Sequence, residues 1–224
     1  MKQIAVFALA MFAAVAFAEN KTNSKKSTKP APVASETAKL DLSGTLKWVG
    51  YGIGKSHAGE ISIKGGQVEF TGEQIIGGNV TLDMKSLRTG DSPRLEGHLK
   101  SADFFDVDKF NEGSFKITKV EAITGAKPGE ATHKITGELT IKGKTNIETF
   151  NATILKKDKE YSAVAKTQIA DRTKYDIVYN SAKIKAASAL GDKLIKDEID
   201  VELNLTAKPS LSAANNMPQA PTKK

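Results

Sequence analysis

The chain has no cysteine among its 224 residues. That rules out a disulfide framework, thiolate metal ligands and a lipid-bearing N-terminal cysteine. Histidine is nearly as scarce. His57, His98 and His133 lie far apart, and no pair has the spacing of a helix-borne metal site. Phosphate-cradling and nucleophile motifs are also missing: there is no P-loop, no dinucleotide fingerprint and no G-x-S-x-G elbow. The glycines of Gly50-Tyr51-Gly52-Ile53-Gly54 sit within a strand pattern that no helix follows. Beyond the N-terminus no apolar run is long enough to suggest a membrane span. These absences argue against an enzyme and leave no catalytic, metal or cofactor site to name.

The single long apolar run, Ile4 to Phe17, follows Lys2 and ends at Ala16-Phe17-Ala18, an A-x-A pattern. It predicts a secretory signal peptide over 1–18. The run is shorter than the ~20 residues of a spanning helix, which disfavours a membrane anchor. An exported protein is expected, periplasmic in a two-membrane bacterium. The formal charge is +7, but residues 40–207 hold 24 basic and 24 acidic side chains, so the excess lies in the tails. A nucleic-acid partner is therefore not expected. The tails would at most tether weakly to an anionic envelope surface, an attraction that raised salt screens. Residues 19–39 and 208–224, rich in Lys, Ser, Thr, Ala and Pro, are expected to be a flexible linker and a disordered tail. One domain, 40–207, lies between them.

That domain alternates with period two. Val80, Leu82 and Met84 alternate with polar residues, as do Ile135, Leu139 and Ile141, and Ile199, Val201, Leu203 and Leu205. Gly65-Gly66 reads as a two-residue hairpin turn, placing Ile63 opposite Val68 and Ile61 opposite Phe70 on one face. Further strands are expected near 46–53, 114–121, 145–155, 160–169 and 175–179. About eight to ten one-face-polar strands with short turns favour an antiparallel barrel or sandwich.

One helical insertion interrupts the strands. Asp91 or Ser92 can cap it, Pro93 suits its first position, and Leu95 and Leu99 share a face. Ser101 is a candidate cap for a further turn carrying Phe104 and Phe105. A second helical piece is expected at 185–194, stopped by Gly191. Two adjacent phenylalanines cannot both face inward from a regular strand, so at least one plugs a gap, closes a barrel end or meets a ligand. Phe104, Phe105, Phe110 and Phe115 fall close together in a chain with only 6% aromatic residues. They suggest a cap over a barrel whose apolar interior is not fully filled.

Several segments resemble the YceI-like family. They are Trp48 leading to His57-Ala58-Gly59, Gly77-Gly78-Asn79-Val80 with Asp83-Met84, and the block from Leu95 through His98-Leu99-Lys100-Ser101 to Asp103-Phe104-Phe105-Asp106. Phe115, Gly137-x-Leu139-Thr140-Ile141-x-Gly143 and Arg172-x-x-Tyr175 complete the pattern. Asn111 departs from it, where the family often has proline. The resemblance implies an all-β, eight-stranded antiparallel lipocalin-like barrel with a hydrophobic tunnel for a polyisoprenoid or other long-chain amphiphile, with no cofactor. Phe70, Leu139 and Val201 would line that tunnel, and Trp48, Phe104, Phe105 and Phe110 would line or close its mouth. His57, His98 and Arg172 are the candidates to meet a polar head. Apolar surface at the mouth leaves homodimerisation open. The competing expectations are an enzyme acting on such a lipid with His98 as acid or base, and a structural module with a filled core.

Overall fold

Period-two alternation closes on itself in the computed structural model, which describes residues 37–210. Eight antiparallel strands follow one another around a barrel, and the last pairs with the first. They are β1 (Thr37–Gly52), β2 (Lys55–Thr71), β3 (Gln74–Thr89), β4 (Glu112–Ala122), β5 (His133–Ile141), β6 (Lys144–Lys157), β7 (Glu160–Ile169) and β8 (Ile195–Pro209). Closure leaves no strand at an open edge of the sheet. The signal peptide expected at 1–18 lies outside the described residues, with most of the expected linker and tail. At the boundaries β1 begins within the stretch expected to be linker. Thr37 and Lys39 pair with Thr71 and Glu69, and an ion pair joins Lys39 to Glu69. β8 likewise runs on to Pro209, opposite Leu40.

Four hairpins among the described residues turn on two residues each: Ile53-Gly54, Gly72-Glu73, Lys142-Gly143 and Asp158-Lys159. At Lys142-Gly143 both residues have positive φ, 49° and 71°. This backbone twist suits tight hairpins and favours glycine at the second place.

The Gly65-Gly66 pair is not a turn; β2 runs straight through it. Between Ser62 and Gln67, β2 carries one residue more than either neighbouring strand. This bulge switches the inward parity from odd to even positions. Ile61, Val68 and Phe70 are therefore all buried on the inner side. A hairpin and a bulge at a Gly-Gly pair leave the same facing pattern, so alternation alone does not separate them. Gly66 is required by close approach: a Cβ there would lie 2.2 Å from the Asn79 carbonyl oxygen.

Two longer connections cover the end where β1 turns into β2. The first carries helix α1 (Pro93–Lys100). Ser92 caps it by accepting from the Leu95 amide, and Pro93 opens it. Ser101 ends α1 instead of starting another helix: its hydroxyl donates to the His98 carbonyl, and turns carry Phe104 and Phe105. The second connection holds a 3-10 turn, Arg172–Tyr175, a short helix α2 (Ala187–Leu190) and a 3-10 turn, Gly191–Lys193. The strand expected at 175–179 is absent. Tyr175, Ile177 and Tyr179 alternate as a strand would, but the Ile177 and Tyr179 carbonyls are taken by the Arg172 side chain.

Candidate functional site

The inner faces of all eight strands enclose a cavity of about 550 Å³ that runs the length of the barrel. This falls within the 300–1,000 Å³ common for small-molecule sites. Many inward side chains, Leu46, Phe115, Leu139, Val201 and Leu203 among them, are only half-buried. They face free space in the lumen instead of one another. Alanines at 152, 163, 165 and 207 on β6, β7 and β8 help keep that space open. The lumen is therefore not plugged by its own side chains, and it continues behind Phe104 and Phe105, both of which line it.

The exposed residues among the lining, Lys55, Asp192, Lys193 and Lys196, all lie at the capped end, between the β1–β2 turn and the start of β8. This is the mouth. At the opposite end Phe70 and Tyr161 stack with centroids 4.5 Å apart.

Of the residues expected from sequence to form the site, Trp48, Phe70, Phe104, Phe105, Leu139 and Val201 line the cavity, as do His57, His98 and Arg172. Phe110 does not. Its ring lies over Gly143, with Lys109 Nζ 5.1 Å from the ring centre, so it packs the outside of the β5–β6 turn. Phe104 is buried and packs its ring against His98 and Tyr179, forming an aromatic lid. Phe105 is held by its amide on the Leu99 carbonyl and is half-buried.

The three polar candidates differ in what they have free. His57 Nδ1 is 2.9 Å from Asp91 Oδ2 at the lip. The Thr89 hydroxyl and then His57 hold the Asp91 carboxyl below its usual value. His98 Nε2 is 3.0 Å from Asp103 Oδ2, and its ring is also packed edge-on to Tyr179. Arg172 lines the cavity with most of its guanidinium engaged by the protein. It is 2% exposed, and its guanidinium donates to the carbonyls of Ile177, Tyr179, Ile195 and Lys196. Asp197 Oδ1 lies 3.4 Å away. Burial lowers the Arg172 pKa, and Asp197 and Asp171 oppose that shift. Four of the five N–H donors of this fixed fork are thus spent on binding the cap to the start of β8.

Sequence reasoning missed Glu148 and Tyr175 as a pair. Glu148 faces inward on β6, in line with Phe150, Ala152 and Ile154, and lines the cavity. Tyr175, 2% exposed, donates its hydroxyl hydrogen to Glu148 Oε1 at 2.7 Å. Burial first, and then this carboxylate, push the phenol well above its usual range. The signal was present: Glu148 shares parity with Phe150, Ala152 and Ile154, but Ile147, which is 62% exposed, obscures it. A second polar group of the lining, Trp48 Nε1, is buried without a hydrogen-bond partner. Among the described residues no group of three or more His, Asp or Glu is placed to hold a metal ion.

Residues 35–207 match the family model of the YceI-like domain, and the chain belongs to that family. The UPF0312 protein SAB2563 of Staphylococcus aureus is 32% identical over 139 residues, covering 56% of this chain and 70% of its own length. BcnA of Burkholderia cenocepacia superposes with a TM-score of 0.58 at 20% identity, covering 74% of this chain and 96% of that one. A polyisoprenoid binding domain from Saccharophagus degradans, implicated in plant cell wall breakdown, superposes with a TM-score of 0.53 at 11% identity. The match covers 78% of this chain and all of that domain. At these identities the two structures share the barrel fold with this chain.

Proposed function

We propose that this YceI-like chain is an exported, periplasmic binding protein that takes one long-chain amphiphile into its barrel, to carry or to store it. The observation that carries the reading is the open, apolar lumen of about 550 Å³ with its exposed lining at one end. Each methylene moved from water into such a wall gains roughly 0.8 kcal/mol, so a slender chain binds by length. The polyisoprenoid-binding description of the Saccharophagus neighbour supports a prenyl chain as one such guest. Binding is the reading preferred to catalysis because, among the described residues, no hydroxyl nucleophile is hydrogen-bonded to the imidazole of His98, the proposed acid or base; its Nε2 meets Asp103 and its ring packs against Phe104 and Tyr179. The space in the lumen likewise disfavours a structural module with a filled core.

Native mass spectrometry of the gently purified protein tests this. A co-purifying lipid of a few hundred daltons or more is expected, and prenyl or fatty ligands should raise the melting temperature of the emptied protein. A ligand-free protein whose melting temperature none of these ligands moves would overturn the reading.

A further inference from the structure

We infer that Glu148 selects the polar end of the guest, admitting an uncharged or cationic hydrogen-bond donor and rejecting an anion. The inference rests on the tunnel reading above and adds the chemistry of the end group. The lumen wall around Glu148 is apolar. Gly137 lies opposite it on β5, the Phe115 ring covers Gly137, and Phe115 and Phe150 pack at 5.5 Å. A carboxyl group in such surroundings needs hydrogen-bond partners. Among the described residues no lysine, arginine or histidine forms an ion pair with it. The two least exposed cations at this end, Lys142 and Arg172, face Asp176 and Asp197 instead.

The protein gives Glu148 one side-chain hydrogen bond, from Tyr175. A carboxylate offers about four lone-pair positions, so acceptor capacity is left over on the cavity wall. A guest hydroxyl or ammonium fills it. A guest carboxylate or phosphate sets only acceptor oxygens against it and makes no such bond. Glu148 sits on β6 just inside the Lys142-Gly143 turn, beneath the cap. The polar end is therefore held near the mouth, and the apolar chain runs toward Phe70 and Tyr161.

The test uses delipidated full-length protein loaded with the fluorescent probe N-phenyl-1-naphthylamine and competed at pH 8 with three ligands of equal chain length: hexadecanol, hexadecylamine and palmitate. Wild type should need about tenfold more palmitate than alcohol or amine for half-displacement, the size of one hydrogen-bond-scale difference. In Glu148→Gln that ratio should shrink to about twofold, and comparing the two proteins cancels differences in ligand solubility. Equal displacement by all three in wild type, or full discrimination retained by folded Glu148→Gln, overturns the inference while leaving the tunnel reading intact. If the probe does not enter wild type at all, the tunnel reading fails and the inference with it. Should Glu148→Gln not fold, Tyr175→Phe decides: it leaves the carboxylate without its protein donor, so discrimination must persist or widen, and its loss overturns the inference.

Discussion

The indole of Trp48 lies over the bare Cα of Gly59, its partner across the β1–β2 ladder; a Cβ at Gly59 would fall 2.4 Å from the indole Cζ2 and 2.0 Å from the Arg88 carbonyl oxygen. The ring cannot move away without entering the lumen it lines. Gly59→Ala should therefore cost about 1–3 kcal/mol, the usual penalty of overpacking, read by urea denaturation. A variant as stable as wild type would show that the indole is not held there.

Arg172→Lys should be far from conservative. Lysine cannot serve four carbonyls from one planar fork, and the abandoned carbonyls of Ile177, Tyr179, Ile195 and Lys196 would be left without their donor. A loss of about 3 kcal/mol or more is expected, with faster amide exchange across 177–196. Slow exchange in a folded variant would show that the cap is held by something else.

The twin phenylalanines should separate in their effects. Phe104 is 6% exposed and packs against His98 and Tyr179, so Phe104→Ala should cost about 3–5 kcal/mol. Phe105 lines the cavity half-buried. Phe105→Ala should cost less stability and weaken ligand retention more, measured as the release rate of a bound fluorescent fatty probe. Equal effects on both readouts would contradict this division.

Acid should loosen the cap through Asp171. Burial pushes its carboxyl up, but Lys183, the Thr173 hydroxyl and the Thr173 amide outweigh that and hold it below its ordinary value of 3.8. A depressed carboxylate contributes stability that is complete above the unfolded value and is lost as pH falls through the folded one. Melting temperature should thus drop below about pH 4, and Asp171→Asn should flatten that limb. An unchanged acid limb in Asp171→Asn would remove Asp171 from the explanation.

Ala165 on β7 lines the lumen opposite Leu203 and is 5% exposed. Ala165→Phe should project a ring into free space, fold with at most about 1–3 kcal/mol lost, and exclude the far part of a long guest. Each excluded methylene removes roughly 0.8 kcal/mol of binding, so affinity for a sixteen-carbon alcohol should fall at least tenfold, by roughly that scale. Trp48, the sole tryptophan, reports it by fluorescence. Undiminished binding would place the guest elsewhere.

What is legible in the sequence is local. Ser92-Pro93 marks the start of α1, and the alternation of β8 marks its inward face, because each signal is complete within a few residues. Gly65-Gly66 misleads because a bulge and a turn leave the same hydrophobic pattern. Arg172 is visible as a cation near the mouth, but its acceptors come from residues 177–196, and no spacing rule links them to it. Glu148 stays hidden behind Ile147, whose bulk suggests the opposite parity for β6. The long-range groups that define the lumen's chemistry are the ones sequence periodicity cannot supply.

Thr37, where β1 begins, pairs with Thr71 beside the Gly72-Glu73 turn, and Pro209, where β8 ends, pairs with Leu40, so both lie at the foot of the barrel, away from Lys55 and Lys193. A handle fused directly at Thr37 or Pro209, whether an affinity tag, a surface linker or a second domain, would attach at that foot, at the far end from the entrance. An immobilised sample should exchange its contents as freely as one in solution.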